Sequence, residues 1–211
     1  MHNGVIADFL DIRRPICDML DKDTFANVLG STDSEHLAAL YMTILTQGRG
    51  KSAWEEEYSS RDMATALHSA VATIIETQQK VRGTRANPNS LNLATTDGKR
   101  LMCYRFRNHA TEQPPSLYYS TIAGVTLNRK YPGHPDSASE GHNELATKRT
   151  EEHGKHVIVA SEPTTYKASE WKLIEGNHFL MVEANGDVVI EKIPYKDEWS
   201  AFDDKSEHEN P

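Results

Sequence analysis

His2-Asn3-Gly4 places an asparagine amide beside a glycine backbone N–H, two donors that can be aimed at one point. Two such donors hold the oxygen of a tetrahedral acyl intermediate, and one is worth about 3–4 kcal/mol of barrier. Glycine also lets a substrate come close to the backbone. The same dipeptide is a common turn, so the pair alone does not specify chemistry. Thr32-Asp33-Ser34-Glu35 offers a second group. Asp33, at the start of a helical pattern, reads as a simple cap or as a carboxylate that pairs with the α-ammonium of an amino-acid substrate. The two cysteines are weaker candidates. Cys17 lies in a helical pattern next to Pro15 and Ile16, and Cys103 lies in mid-strand between Met102 and Tyr104. Both read as packed thiols rather than nucleophiles.

Ten histidines raise the question of a metal. His134, His142, His153 and His156 cluster in one stretch, but their spacing fits no zinc pattern and no cysteines accompany them. They read as loop histidines. No phosphate-binding glycine loop is present, and no cofactor is expected. Arg13 and Arg14 read as a solvated helix face. Glu55, Glu56 and Glu57 beside Trp54 read as a solvated acidic turn.

The net charge of −8 over 211 residues argues against nucleic acid as a partner, because phosphate binding needs clustered cations. No stretch has the length of a membrane-spanning helix. The first residues lack a basic region followed by an apolar run. Two cysteines without a CxxC pair fit a reducing compartment. A soluble cytoplasmic protein is expected.

The elements that must position these residues follow from periodicity. Residues 5–20 form an amphipathic pattern through Ile6, Phe9, Leu10, Ile12, Ile16 and Leu20, which Pro15 should bend or interrupt. A second helix starts after Thr32–Glu35, with Leu37, Leu40, Tyr41, Ile44 and Leu45 as its apolar face. The clearest helix spans 60–80, with Met63, Leu67, Ala70, Val71, Ile74 and Ile75 on one side and Ser59 or Ser60 as cap. After residue 88 the period becomes 2. Strands are expected at 90–96 and 101–107 around the Asp97-Gly98 turn, at 117–121, at 157–160, and as a hairpin at 179–183 and 188–193 around Asn185-Gly186. Residues 128–155 carry Gly, Pro, Ser, His and many charges without period, and read as a flexible insertion. Residues 200–211 read as a disordered tail. Helices followed by antiparallel strands give an α+β layered domain.

His-Asn-Gly, then a helix, then Thr-Asp-Ser-Glu opening another helix resembles the second half of a class II glutamine amidotransferase, one of the amino-terminal-nucleophile hydrolases. Leu93–Gly98 with the strand from Arg100 to Arg107 is similar to the core hairpin of that family. Leu117-Tyr118-Tyr119-Ser120 and Val159-Ala160-Ser161-Glu162-Pro163, with Trp171 after them, resemble a narrower branch. It contains the fungal amidotransferase subunit of a glutathione-degradation complex and the γ-glutamyl hydrolase of ergothioneine biosynthesis. The resemblance implies that residues 1–199 are the carboxy-terminal part of such a domain, a partial four-layer αββα sandwich. It implies hydrolysis of a γ-glutamyl amide, with Asn3 and Gly4 as the oxyanion hole and Asp33 on the substrate α-amino group. It implies a γ-glutamyl small molecule as substrate and, in the glutathione branch, a peptidase-like partner subunit. No catalytic role is expected for Ser161 or Glu162, because a strand-end Ser-Glu-Pro reads as a turn and a packing element.

The family's nucleophile is an amino-terminal cysteine whose own amino group is the base. Here residue 1 is Met. The arginine that grips the substrate carboxylate also precedes the His-Asn-Gly segment in the family. The sequence therefore reads as a fragment, short by about a hundred residues. It is expected to be inactive alone, with exposed strand edges that call for a partner. The alternative is a non-catalytic interaction module that binds a partner subunit or a γ-glutamyl ligand.

Overall fold

A computed structural model describes residues 1–122, 155–165 and 168–203. The expected insertion at 128–155 lies outside them apart from Lys155, as do residues 204–211 of the expected tail. The described tail residues 200–203 are pinned: Ala201 N donates to Asn108 O at 2.9 Å and Ala201 O accepts from Ala110 N at 2.8 Å.

The chain opens with β1 (His2–Val5), α1 (Phe9–Cys17), α2 (Lys22–Ala26), α3 (Asp33–Leu45) and α4 (Ser60–Arg82). Among the described residues seven further strands complete the order, for eight in all: β2 (Ser90–Thr96), β3 (Leu101–Arg107), β4 (Tyr118–Ser120), β5 (Ile158–Ala160), β6 (Lys172–Leu173), β7 (His178–Val182) and β8 (Val188–Lys192). Five of them form an antiparallel sheet in the order β1-β2-β3-β7-β8, and three form a small sheet in the order β5-β4-β6.

α4 forms where the period is clearest. Ser59 closes a capping box with Asp62: its hydroxyl accepts from Asp62 N at 3.1 Å, and its own N–H donates back at 3.2 Å. The expected apolar face of α4 is buried, Ala70 and Val71 completely. Each fully buried Val, Leu or Ile side chain contributes about 1.5–3 kcal/mol. That face packs on one side of the large sheet, where α1 and α3 join it. On β3 the pleat sorts side chains strictly. Met102, Tyr104 and Phe106 face the helices, while Leu101 and Cys103 meet Leu117, Ile174 and Leu180 beneath the small sheet. The described residues thus make three layers: helices, large sheet, small sheet. The second helical layer of a four-layer sandwich is not among the described residues.

Three elements differ from expectation. The helix expected over 5–20 is shorter, because residues 2–5 are a strand held by pairing with β2, more than eighty residues away. α1 runs through Pro15 rather than breaking at it. α2 forms unforeseen, because Asp21 caps its first turn by accepting from Asp23 N and Thr24 N.

Candidate functional site

β1 is an edge strand, and its backbone alternates in direction. The Met1 nitrogen donates to Ala94 O at 2.6 Å, and Met1 O accepts from Ala94 N at 2.9 Å. That is a hydrogen-bonded pair of an antiparallel ladder, so the next such pairs are Asn3 with Asn92 and Val5 with Ser90. Gly4, between them, turns its N–H away from β2 toward the open edge. Its φ is +148°, and a Cβ there would sit 1.9 Å from Ser90 O. Only glycine fits this close approach.

Consecutive residues on a strand point to opposite faces. His2 is paired with Leu93 and looks toward the helices, while Asn3 looks toward the small sheet. There its amide donates to Ser161 Oγ at 3.3 Å. Ser161 follows the end of β5, and its neighbour Glu162 accepts from Ser116 Oγ. Asn92 donates to Ser116 O at 2.8 Å. The Ser-Glu-Pro segment, expected to be a turn and a packing element, packs against the candidate oxyanion donor.

Asp33 is at the same edge. Its Oδ2 accepts from Ile6 N at 2.9 Å, and its Oδ1 accepts from Ser34 N at 2.7 Å and Ser34 Oγ at 3.3 Å. Ile6 is two residues beyond Gly4, so its N–H points to the open edge as Gly4's does. The cap of α3 is not Asp33 but Thr32, whose hydroxyl accepts from Glu35 N at 3.3 Å. A carboxylate has about four lone-pair sites, so Asp33 retains capacity for an incoming ammonium. The three expected site residues, Asn3, Gly4 and Asp33, are thus brought together at one corner of the sheet.

That corner rests on groups that sequence reasoning passed over. Asn89 Oδ1 accepts from Ala7 N and from Gln78 Nε2, each at 3.0 Å, while its own amide donates to Gln78 Oε1 at 2.7 Å. Asp8, at φ 52°, accepts from Asn87 N at 2.7 Å and Asn87 Nδ2 at 2.9 Å, and pairs with Arg82 at 3.3 Å. The only trace of this in the sequence is the Asn87-Pro88-Asn89 turn. Arg105 was also unforeseen. It is buried and donates to the carbonyls of Pro114, Pro115 and Ile174 at 2.6–2.8 Å, tying the small sheet to the large one. Burial lowers its pKa.

Cys17 ends α1, and Cys103 is buried on β3, where burial pushes its thiol up to about 12. A thiol held protonated is no nucleophile. One trio with metal-ligand chemistry stands among the described residues: His109, Glu112 and Asp203. His109 Nδ1 accepts from Glu112 N at 2.9 Å, so the neutral ring carries its proton on Nε2, the atom 3.7 Å from Asp203. Glu112 is paired with Arg107 at 2.5 Å. That ring presents an N–H, not a lone pair, to the trio. The acidic turn at 55–57 is bridged rather than simply solvated, Glu56 to Arg49 at 2.6 Å and Glu57 to Lys99.

Two histidines give the fold a pH dependence. Burial pulls the His2 imidazole below its ordinary value, with the Asp33 carboxylate opposing. Burial does the same to His68, which lies against Trp199, and Lys196 adds to it. The folded state protonates both rings only at lower pH than the unfolded chain does, whose ordinary value is about 6.5. The unfolded state therefore binds more protons, and this part of the stability is complete above pH 6.5 and lost as the pH falls. The melting temperature is expected to drop between pH 7.5 and 5.5, and to drop less in His68→Gln. A flat or rising profile over that interval contradicts the assignment.

No family model matches the chain. The chain is 27% identical over 187 residues to the probable glutamine amidotransferase DUG3 of Saccharomyces cerevisiae. That match takes in 87% of this chain and 49% of the yeast protein, so the chain spans about half the length of this curated relative. Among solved structures, a glutamine aminotransferase class-II domain protein (SPO2029) from Silicibacter pomeroyi superposes with a TM-score of 0.60. The superposition covers 92% of this chain and 66% of that one, at 20% identity, and it shows a shared fold. No helix of the described residues is long and apolar enough to cross a membrane. By sequence the chain is distantly similar to a probable glutamine amidotransferase, and it shares its fold with a glutamine aminotransferase class-II domain protein.

Proposed function

We propose that this chain supplies the oxyanion hole and the α-amino subsite of a γ-glutamyl amide hydrolase. The observation that carries the reading is the convergence of Asn3, Gly4 and Asp33, separate in sequence, on one open corner of the sheet. In the reaction a thiolate attacks the γ-carbonyl carbon. The carbonyl oxygen becomes an oxyanion that accepts from Asn3 Nδ2 and the Gly4 N–H. Collapse breaks the C–N bond, the leaving amine takes a proton, and water then hydrolyses the thioester to release glutamate. Asp33 holds the substrate ammonium and so sets the distance of the carbonyl from the two donors.

The thiol is not one of the cysteines in these 211 residues. Losing the nucleophile from a triad-type site costs about a million-fold in turnover. The purified chain is therefore expected to release glutamate from glutamine or glutathione no faster than buffer. Release at enzyme-like rates would contradict this division of labour. The finer reading is a γ-glutamyl peptide such as glutathione as substrate, with a peptidase-like partner subunit. The relation to a glutamine amidotransferase supports glutamine itself as the simplest γ-glutamyl compound to assay. A second reading, a non-catalytic module that binds a γ-glutamyl ligand or a partner, is favoured by one observation: Cys103 is buried with its thiol held protonated, and Cys17 lies at the end of α1.

A further inference from the structure

Beyond β8 the chain runs along α4 as a strap, residues 193–203. Ile193 and Trp199 are buried in the core cluster of the helical side. Lys196 Nζ pairs with Glu76 at 2.7 Å, and Glu198 O accepts from Gln79 Nε2 at 2.5 Å. The backbone on either side of Ser200 is tied to one residue, Asn108. Trp199 O accepts from Asn108 Nδ2 at 2.8 Å, and Ala201 N donates to Asn108 O at 2.9 Å. Asn108 Oδ1 in turn accepts from Asn89 N at 2.6 Å. Asn89 grips Ala7 N and both polar atoms of the Gln78 amide, and Gln78 Nε2 donates to Ala7 O at 2.5 Å. Three side-chain amides thus connect the strap to the segment that follows β1.

None of these amides can turn over. Asn108 meets a backbone N–H on one side and a carbonyl on the other, so a flip would set donor against donor and acceptor against acceptor. Asn89 Oδ1 is fixed in the same way by Ala7 N, and Gln78 follows from both. Asn89, Asn108 and Gln78 are all buried. A partner lost from one of them leaves a polar group that water cannot serve, so its neighbours must shift. The path ends at Gly4 by two routes. Along the chain, Ala7 lies three residues past it. Across the ladder, Asn89 precedes Ser90, which pairs with Val5 and whose carbonyl comes up against Gly4.

We propose that Asn108 is a positioning residue: through Asn89 it makes the aim of the Gly4 N–H depend on the seating of the strap. Lifting residues 199–201 loosens the corner, and a seated strap holds it. The coupling stands without γ-glutamyl hydrolysis, and only its bearing on substrate binding rests on that reading.

Ala201→Pro tests the coupling from its far end. Proline has no N–H to donate to Asn108 O. Ser200, at φ −64° and ψ 126°, already has the extended backbone that a residue before proline needs. The substitution leaves β1, Asn89 and the Asn108 side chain as they are. Amide hydrogen exchange and ¹⁵N shifts of the 211-residue chain are read at Val5, Ala7 and Gly4, with β8 at the opposite edge of the sheet as reference. Exchange at Val5 and Ala7 is expected to rise about fivefold, the factor that one typical hydrogen bond is worth. The Gly4 shift is expected to move, and β8 to stay within about twofold. Asn108→Ala, which removes the side-chain bonds to Asn89 N and Trp199 O, is expected to act in the same direction and more strongly. The double variant is expected to exchange no faster than Asn108→Ala alone, because the path is already cut. Unchanged exchange at Val5 and Ala7 in Ala201→Pro, β8 accelerated as much as β1, or effects that multiply in the double variant would each overturn the proposal. L-Glutamine separates the coupling from the reading of the site. No binding to the unmodified chain defeats the γ-glutamyl reading, with the coupling still decided by exchange. Binding that Asn108→Ala leaves equally tight defeats the positioning role.

Discussion

Gly4→Ala is expected to lower the stability of the chain by about 3 kcal/mol or more and to detach β1 from the sheet. A residue held at positive φ outside the common regions carries about 1–3 kcal/mol of strain. Overpacking adds about 1–3 kcal/mol more. The overpacking here is severe, because the new Cβ would lie 1.9 Å from the carbonyl oxygen of Ser90, a backbone atom that cannot rotate away. The contact is relieved only if the strands separate, and then both candidate oxyanion donors move. Gly98→Ala is the control. Gly98 also has positive φ, at 86°, but open space surrounds it. Its cost is the left-handed backbone alone, about 1–2 kcal/mol. Urea unfolding of the two variants checks the difference. Equal losses would mean that β1 does not approach Ser90 as closely as described.

Asp33→Ala is the second large effect. It removes one acceptor from Ile6 N and another from Ser34 N, bonds of 2.9 and 2.7 Å to a charged group. Hydrogen bonds to charged groups contribute about 1.5–3 kcal/mol each. A carboxylate at the first turn of α3 adds about 0.3–1 kcal/mol through the helix dipole. A loss of about 3 kcal/mol or more is therefore expected. It should be accompanied by faster amide hydrogen exchange at Ile6, because that N–H faces the open edge and has no other partner there. Asp33→Asn keeps an acceptor oxygen and is expected to lose about half as much. Exchange at Ile6 that stays unchanged in Asp33→Ala would show that the carboxylate does not hold the strand.

These expectations give Asp33 two duties. It pins the backbone just past Gly4, and under the proposed function it would also meet a substrate ammonium. The first duty serves the second, since the direction of the Gly4 N–H depends on how β1 is held. Asn89 and Gln78 brace the same segment through Ala7.

Local patterns in the sequence carry the parts of this fold that local physics determines. α4 is legible because six apolar residues recur at helical spacing behind a Ser59–Asp62 capping box. The β2–β3 hairpin is legible because Asp97-Gly98 supplies a turn between alternating strands, and Asp97 Oδ1 accepts from Lys99 N and Arg100 N. β1 is not legible in this way. Asn3, Gly4 and Val5 are exposed, and the strand exists only because β2 pairs with it across the chain. The amphipathic pattern of α1 therefore spread into it when read alone. The site divides similarly. Family resemblance singled out Asn3, Gly4 and Asp33 as a set. The bond from Ile6 N to Asp33 and the contact of Asn3 with Ser161 depend on tertiary packing, and no spacing announces them.

The central claim is that the corner formed by Asn3, Gly4 and Asp33 receives a γ-glutamyl group. The most direct measurement is titration of the ¹⁵N-labelled chain with L-glutamine and with glutathione, observing the Gly4 amide and the Asn3 side-chain amide. Saturable shifts at both positions, at least tenfold weaker binding in Asp33→Asn, and no shift with acetamide are the expected results. No shift at either position at high millimolar ligand, or binding that Asp33→Asn leaves unchanged, would contradict the claim.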